Sequence, residues 1–297
     1  MKIAFLILHY NTIHDTIKCV ESIQKNVNNK QYYIVIVDNK SPNDSGKILL
    51  NKYNGIKNIK VILNEKNMGF AKGNNIGFKY IKENYKVDFI AMINSDTYLL
   101  NNNFFDIIIN EYNSSGFAVL GPKILLPNNQ INSVQKKLIT AKQLKNKMLR
   151  MKIMYYASKF YLMFVYEFLK KLFIIFRSKS AIGLSVNYSD DVNIRQENVV
   201  LHGAFLIFSK KYIEKFDGLD NRTFMYMEEK LLAARLKKEG MLSVYNPELV
   251  IFHNEDSATN SIMKTPRKKN MFVYKNAYNS SKILYKELLD LEEEKYE

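Results

Sequence analysis

The sequence predicts an α/β fold: a mixed, mostly parallel central sheet flanked by helices. Three observations predict it. Four runs (2–8, 32–38, 59–64 and 88–94) are nearly all apolar, as strands buried on both faces are. The segments between them have helical spacing or turn chemistry, and strand–helix alternation implies right-handed crossovers. Each run also ends on polar residues: His9-Tyr10-Asn11, Asp38-Asn39, Asn64 to Asn67, and Asn94-Ser95-Asp96. Ligands of such sheets sit beyond the carboxyl ends of the strands.

Taken in order, Lys2–Leu8 is the first strand. Its apolar run is too short for a signal peptide and is soon followed by polar residues, so the reading keeps the protein in the cytoplasm. Ile13, Ile17, Val20, Ile23 and Val27 mark a helix, Tyr32–Asp38 the second strand, and "NKSPNDSG" a turn before a short helix at 48–53. Ile59–Asn64 is the third strand. "NMGFAKGNNIG" leads through glycines into a helix, and "DFIAMIN" is the fourth strand. The alternation breaks after Pro127. Residues 136–177 are basic and aromatic without glycine or proline, and 178–198 read as a loop. "VVLHGAFLIFSKKYI" resumes strand then helix. "FMYMEEKLLAARLKKEG" predicts a helix to Gly240, "LSVYNPELVIFH" a strand pair, and the tail from Pro266 a helix. One compact domain with an inserted helical segment is expected.

The chain of 297 residues has one cysteine, Cys19, and a formal charge of +15. Only six of its 44 basic residues are Arg, the side chain that base-edge readers favour, so no nucleic acid is expected. Residues 136–179 carry twelve Lys/Arg against one acid, Glu167, which is +11 of the +15. Within them Tyr155–Phe176 is long enough to span a bilayer, but Lys159, Glu167, Lys170 and Lys171 argue against spanning. A helix lying on an anionic membrane tolerates such charges. Packing on the domain and a homodimer interface are the alternatives.

Several residue sets suit chemistry, each beside a plainer reading. Asn94-Ser95-Asp96 is good turn chemistry and equally a set of oxygen ligands for Mg²⁺ or Mn²⁺. Asp38 is a turn residue or an acceptor for a nucleobase or ribose. Gly69, Gly73 and Gly77 serve close packing or a phosphate at a helix start. Glu228 and Glu229 suit a helix dipole or supply a general base. His253 ends an apolar run as a structural residue or a metal ligand.

Taken together, "ILHYN", "IVIVDNKSPNDS", "NEKNMGFAKGNNIG", "MINSDT", "HGAFLIFSKKYIEKFDGLD", "FMYMEEKLLAARL" and "VIFHNEDSAT" resemble the family 2 glycosyltransferases of the GT-A fold. The similarity is to the bacterial rhamnosyltransferase-like branch and covers roughly 1–127 and 198–280. It implies an inverting transferase that moves a sugar from a nucleoside-diphosphate donor, dTDP-rhamnose or a UDP-hexose. The implied acceptor is a glycan or polyprenyl-linked glycan, in capsule, O-antigen or related synthesis at the inner face of the plasma membrane. By resemblance, 1–127 is the nucleotide-sugar half and 198–260 the acceptor half, with the basic insert at 136–179 and a C-terminal helix over 261–297. Tyr10, Asn11 and Asp38 lie by the nucleobase and ribose, and Asn67, Gly73 and Asn74 border nucleotide and sugar. Asn94 and Asp96 match the Asp-x-Asp position, where Asp96 and His253 hold a divalent cation, Mn²⁺ or Mg²⁺. Glu229 matches the catalytic base, with Glu228 as the alternative for that role. Asn94 departs from the family's first Asp, and Glu228-Glu229 from its Glu-Asp pair. A non-catalytic protein of the same fold that binds a nucleotide or a partner is the alternative reading.

Overall fold

The structure is a computed structural model; it describes the chain apart from residues 28–30, 128–129, 133, 166–187, 190, 255–264 and 294–297. The first half alternates as expected: β1 (Ile3–His9), α1 (Ile13–Asn26), β2 (Tyr32–Asp38), α2 (Ser45–Lys52), β3 (Ile59–Leu63), α3 (Phe70–Asn84) and β4 (Phe89–Asn94). There follow β5 (Thr97–Leu99), α4 (Phe104–Ser115), β6 (Val119–Leu125), β7 (Val134–Gln135), α5 (Ala141–Lys159), β8 (Tyr188–Ser189) and β9 (Gln196–Glu197). The chain ends with β10 (Phe205–Ser209), α6 (Lys210–Lys215), α7 (Glu228–Lys238), β11 (Ser243–His253) and α8 (Pro266–Glu293).

The main sheet runs β3-β2-β1-β4-β10-β6-β11-β5, with β9 also on β11. β3, β2, β1 and β4 are parallel neighbours. β10 enters antiparallel between β4 and β6, and β11 runs parallel to β6. Because side chains alternate along a strand, each apolar run feeds two cores. Ile3, Phe5 and Ile7 pack with Cys19, Val20, Ile23 and Phe104 on one face. Ala4 and Leu6 pack with Phe78, Ile81 and Phe208 on the other. This two-sided burial is why the strands read as unbroken apolar runs rather than alternating ones.

Two expectations are corrected. The strand pair at "LSVYNPELVIFH" is one strand, β11, whose pairing with β6 shifts register between Asn246 and Val250. Pro247 lies in that irregularity, where its missing N–H costs no ladder bond, so it bends the strand without ending it. The loop over 178–198 contains two short pairings, β8 with β7 and β9 with β11; 178–187 lie outside the described residues. Of the basic segment, α5 packs on α8, which also meets α7, and Ile139, Leu144, Leu231, Leu284 and Leu288 share one buried apolar cluster there. Thr140 and Gln143 form a reciprocal capping box at its start. The stretch 166–176 of the anticipated long aromatic helix lies outside the described residues. Among the described residues no helix is long and apolar enough to cross a membrane.

Candidate functional site

Parallel register brings the polar strand ends into one row. His9 is opposite Asp38, and Leu8 is opposite Asn94. His9 is fully buried between Thr16 Oγ1 and Ser45 Oγ, each 2.7 Å away. Burial, opposed by the nearby Asp38 charge, lowers its pKa to about 4, so it is a neutral strut beneath the row.

At the β1–β2 end, Asp38 accepts from Ser41 Oγ at 2.5 Å and from the Ser41 backbone N–H at 3.2 Å. Its carboxylate is thereby oriented from below. Asn11 has φ 66°, and its N–H donates to Ser41 Oγ at 2.9 Å; Tyr10 precedes it, half-buried. Asn39, which the sequence reading did not single out, is the hub of the next loop. It donates to Asn67 Oδ1 and to the Gly69 carbonyl, both at 3.0 Å. It accepts from Asn64 Nδ2 at 3.2 Å and from Met68 N–H at 2.9 Å. The four asparagines at successive strand ends (39, 64, 67 and 94) were the available signal.

Gly69, with φ 80°, caps the start of α3. A Cβ there would stand 2.2 Å from the Phe224 carbonyl oxygen, which accepts from Phe70 N–H at 2.7 Å. Gly73's missing Cβ faces Leu8 and Asn39, so glycine at 73 permits close helix–sheet packing. Asn74 is buried and donates to the Phe70 carbonyl at 3.0 Å. Asn75, also unforeseen, clamps the Leu219 peptide by accepting its N–H at 2.8 Å and donating to its carbonyl at 2.7 Å. "GFAKGNN" is thus the dock for the loop that delivers α7.

Asp96 occupies the turn between β4 and β5. β11 pairs with β5 so that His253 lies opposite Thr97. This carries His253 Nε2 to 3.2 Å from Asp96 Oδ1, both side chains being less than a tenth exposed. The Asn254 N–H closes the junction on the Asp96 carbonyl at 2.9 Å. Asn94 is fixed through its backbone, its N–H donating to the Ala204 carbonyl at 2.9 Å. Buried polar groups ordinarily have partners. Asn11 Oδ1, Asn74 Oδ1, Thr97 Oγ1 and His253 Nδ1 have none among the described residues, and all four belong to this end of the sheet. A carboxylate oxygen beside an imidazole nitrogen, with neighbouring groups unsatisfied, fits a divalent cation such as Mn²⁺. Among the described residues no cluster of three or more such ligands occurs, and this pair is what they would offer such an ion.

His202, whose ring neighbours that of His253, lines a cavity of about 340 Å³ together with Gln135, Glu229, Lys230 and Tyr245 among others, within the size range of small-molecule sites. His202, which the sequence reading left without a role, has its ring centroid 5.9 Å from that of His253. Burial and the second imidazole lower its pKa to about 4, against the Glu229 charge. Tyr226 and Met227, at φ 73° and 72°, turn the chain sharply into α7 and point the two glutamates apart. Glu228 faces inward, accepts from Thr223 Oγ1 at 2.8 Å and is 5% exposed. Burial raises its pKa to about 7. Glu229 faces the cavity and accepts from Lys230 Nζ at 2.5 Å. Burial pushes its pKa up, but the Lys230 charge and hydrogen bond outweigh that and hold it below the usual carboxylate value. The arrangement therefore keeps one carboxylate charged toward the cavity and one behind it prone to protonation.

In structure the chain resembles TarS 1–349 of S. aureus (TM-score 0.52, 14% identity), covering 97% of this chain and 71% of that one. The same TarS fragment in complex with UDP gives a TM-score of 0.53 at 15% identity and the same coverage. At such identity the likeness is one of fold, and it agrees with the mixed, mostly parallel sheet of the GT-A architecture. In sequence, 59 residues are 39% identical to the N-acetylglucosaminyl-diphospho-decaprenol L-rhamnosyltransferase of Mycobacterium tuberculosis (strain ATCC 25618 / H37Rv). The matched stretch is 20% of this chain and spans about a fifth (19%) of that relative's length. Residues 5–173, more than half of the chain, match Glycosyl transferase family 2. The chain therefore belongs to glycosyl transferase family 2.

Proposed function

We propose that this protein is an inverting, metal-dependent hexosyltransferase. It takes the sugar of a nucleoside-diphosphate donor, dTDP-rhamnose or a UDP-hexose, to a hydroxyl of a glycan or polyprenyl-linked glycan in bacterial surface polysaccharide synthesis. The observation that carries the reading is the buried Asp96–His253 contact of 3.2 Å, with His253 next to His202, which shares a cavity wall with Glu229. Family membership supports the donor class. The UDP complex of TarS and the rhamnosyl transfer in the mycobacterial relative's name support the two donor candidates.

In this reading Tyr10, Asn11 and Asp38 receive the base and ribose, with Asp38 held by Ser41 to present its free edge. Asn67 and Asn74 border the sugar diphosphate, and Gly73 lets α3 approach closely enough to bring them there. Asp96 and His253 hold the cation, with Asn94 beside them. A divalent cation held by these residues would offset the charge that develops on the leaving nucleoside diphosphate. Glu229, kept ionised by Lys230, accepts the acceptor hydroxyl's proton. That oxygen forms its bond to the anomeric carbon as the bond to the diphosphate breaks. One base suffices, and no covalent sugar–protein bond forms.

The test is transfer from a panel of nucleotide sugars to hydroxyl acceptors with Mn²⁺ or Mg²⁺, run on the protein and on Asp96→Asn. Turnover that needs the metal and disappears in Asp96→Asn supports the reading. Tight nucleotide binding with neither transfer nor slow donor hydrolysis would establish a binding protein of the same fold instead.

A further inference from the structure

α5 is apolar on two opposite sides. Ala141, Leu144, Met154, Ala157 and Ser158 are buried on one side, where the helix meets α8, and the Ser281 hydroxyl approaches Met151 Sδ at 3.7 Å. Leu149, Ile153, Tyr156 and Phe160 recur at the 3–4-residue spacing of a single stripe roughly opposite. They are 61%, 48%, 45% and 58% exposed. Tyr156 and Phe160 stack on each other with centroids 6.2 Å apart. The stripe continues past the helix end into Tyr161, Leu162 and Phe164, also exposed. Isolated exposed apolar residues are ordinary; a contiguous patch marks an interaction surface. An apolar stripe on the side away from α8 takes no part in the packing of the helix on that element.

Charge selects what covers it. Lys142, Lys145, Arg150, Lys152 and Lys159 are exposed on the same helix, which contains no acidic residue. α8 adds Arg267, which donates to the Ser158 and Lys159 carbonyls at 2.9 Å and lies 3.8 Å over the Tyr161 ring. Lys268 is exposed beside it. A second copy meeting this face across a two-fold axis would set the same positive charges against themselves. An anionic lipid surface matches both features: aromatic and aliphatic side chains enter the acyl boundary while flanking Lys and Arg meet phosphate headgroups.

We propose that the exposed stripe of α5, Leu149 to Phe164, is a docking surface for an anionic bilayer, in which the helix lies parallel to the membrane plane. The inference is independent of the proposed sugar transfer, and its readout involves no turnover. Full-length protein is sedimented with vesicles of phosphatidylcholine alone or with phosphatidylglycerol added. Two variants accompany it: Ile153→Ser/Tyr156→Ser/Phe160→Ser for the stripe and Lys142→Gln/Lys145→Gln/Lys152→Gln for its flanks. All six side chains are partly or fully exposed, and thermal melting checks that the fold persists. The wild type should pellet with the anionic vesicles and much less with neutral ones. Each variant should lose about tenfold or more of that partition, and the wild type's partition should fall as salt rises. Equal pelleting of wild type and both folded variants, or of wild type with and without anionic lipid, overturns the proposal. So does a wild type that stays in the supernatant. Loss of a wild-type dimer in the stripe variant, without any vesicle binding, would assign the face to a second copy and overturn it as well.

Discussion

A carboxylate that takes a proton from a sugar hydroxyl must be ionised at the working pH and must face the substrate. Glu228 and Glu229 differ by one position and oppositely in both respects. Glu229→Gln should therefore lower turnover by about 10²–10⁴-fold with little change in donor affinity, measured as kcat against the nucleotide dissociation constant. The pH profile separates the two candidates. With Glu229 as base, the acid limb of kcat/KM lies below the ordinary carboxylate value, because Lys230 depresses its pKa. With Glu228 as base, the limb lies near pH 7, so a limb there would reverse the assignment. Glu228 has its own consequence for stability. Its folded pKa of about 7 stands above the 4.5 of an ordinary Glu, so the folded state holds the proton more tightly. That contribution is fully present below pH 4.5 and is lost as pH rises through 7, worth up to about 3 kcal/mol. Glu228→Gln keeps an acceptor for Thr223 and never ionises. Denaturant melts of this variant should lack the decline between pH 4.5 and 7 and show a gain over wild type at pH 8.

The placement of those glutamates is a property of elements rather than of residues. The loop before α7 leans on α3 at two points, Gly69 under the Phe224 carbonyl and Asn75 on the Leu219 peptide. A side chain at 69 meets both a left-handed φ and a backbone oxygen. Gly69→Ala should cost about 1–3 kcal/mol and lower turnover by shifting the start of α7. Asn75→Ala leaves two peptide groups without their partner and should cost about 1–3 kcal/mol. Chemical denaturation paired with steady-state rates checks both. A variant that loses stability but keeps wild-type turnover would show that the dock does not position Glu229. The same logic explains Arg195, whose guanidinium makes a bidentate contact with buried Glu111 at 2.9–3.2 Å while Asn246 also donates to that carboxylate. This network ties α4 to β9 and β11 and so holds the strand that delivers His253.

Across the whole molecule, the proposed site draws on both halves of the sheet: Asp38 and Asn67 lie in the parallel half, His253 and Glu229 in the half beyond β10. A donor bound with its cation would bridge the two and stabilise the fold by mass action, about 2.7 kcal/mol at a hundredfold excess over Kd. Thermal melts should show a Tm increase with nucleoside diphosphate that grows when Mn²⁺ is present. The metal-dependent increment should vanish in Asp96→Asn while the increment from nucleotide alone persists. An unchanged metal increment in that variant would remove Asp96 from the cation site. Of the positive charge of residues 136–179, α5 carries six Lys and Arg and no acid, and these are the charges the proposed docking face would use.

Strand identity, the parallel half of the sheet and the polar strand ends were legible in the sequence because they are local. A run buried on both faces is apolar without interruption, and a chain leaving the sheet toward a ligand becomes polar there. The sequence also put Asp96 and His253 at strand ends and the glutamate pair at a helix start, where the structure has them. What joins them was decided only by the tertiary structure. Residues 96 and 253 meet through the pairing of β5 with β11, and no local pattern encodes a partner so distant in sequence. Which glutamate faces the cavity depends on the backbone turn at Tyr226 and Met227, left-handed without glycine to announce it, since one helical position rotates a side chain by about 100°. His202, Asn39 and Asn75 acquire their roles from neighbours brought close by folding. So does the open face of α5: its sequence is apolar on two sides, and only the packing of α8 against one of them reveals which side is left for a partner.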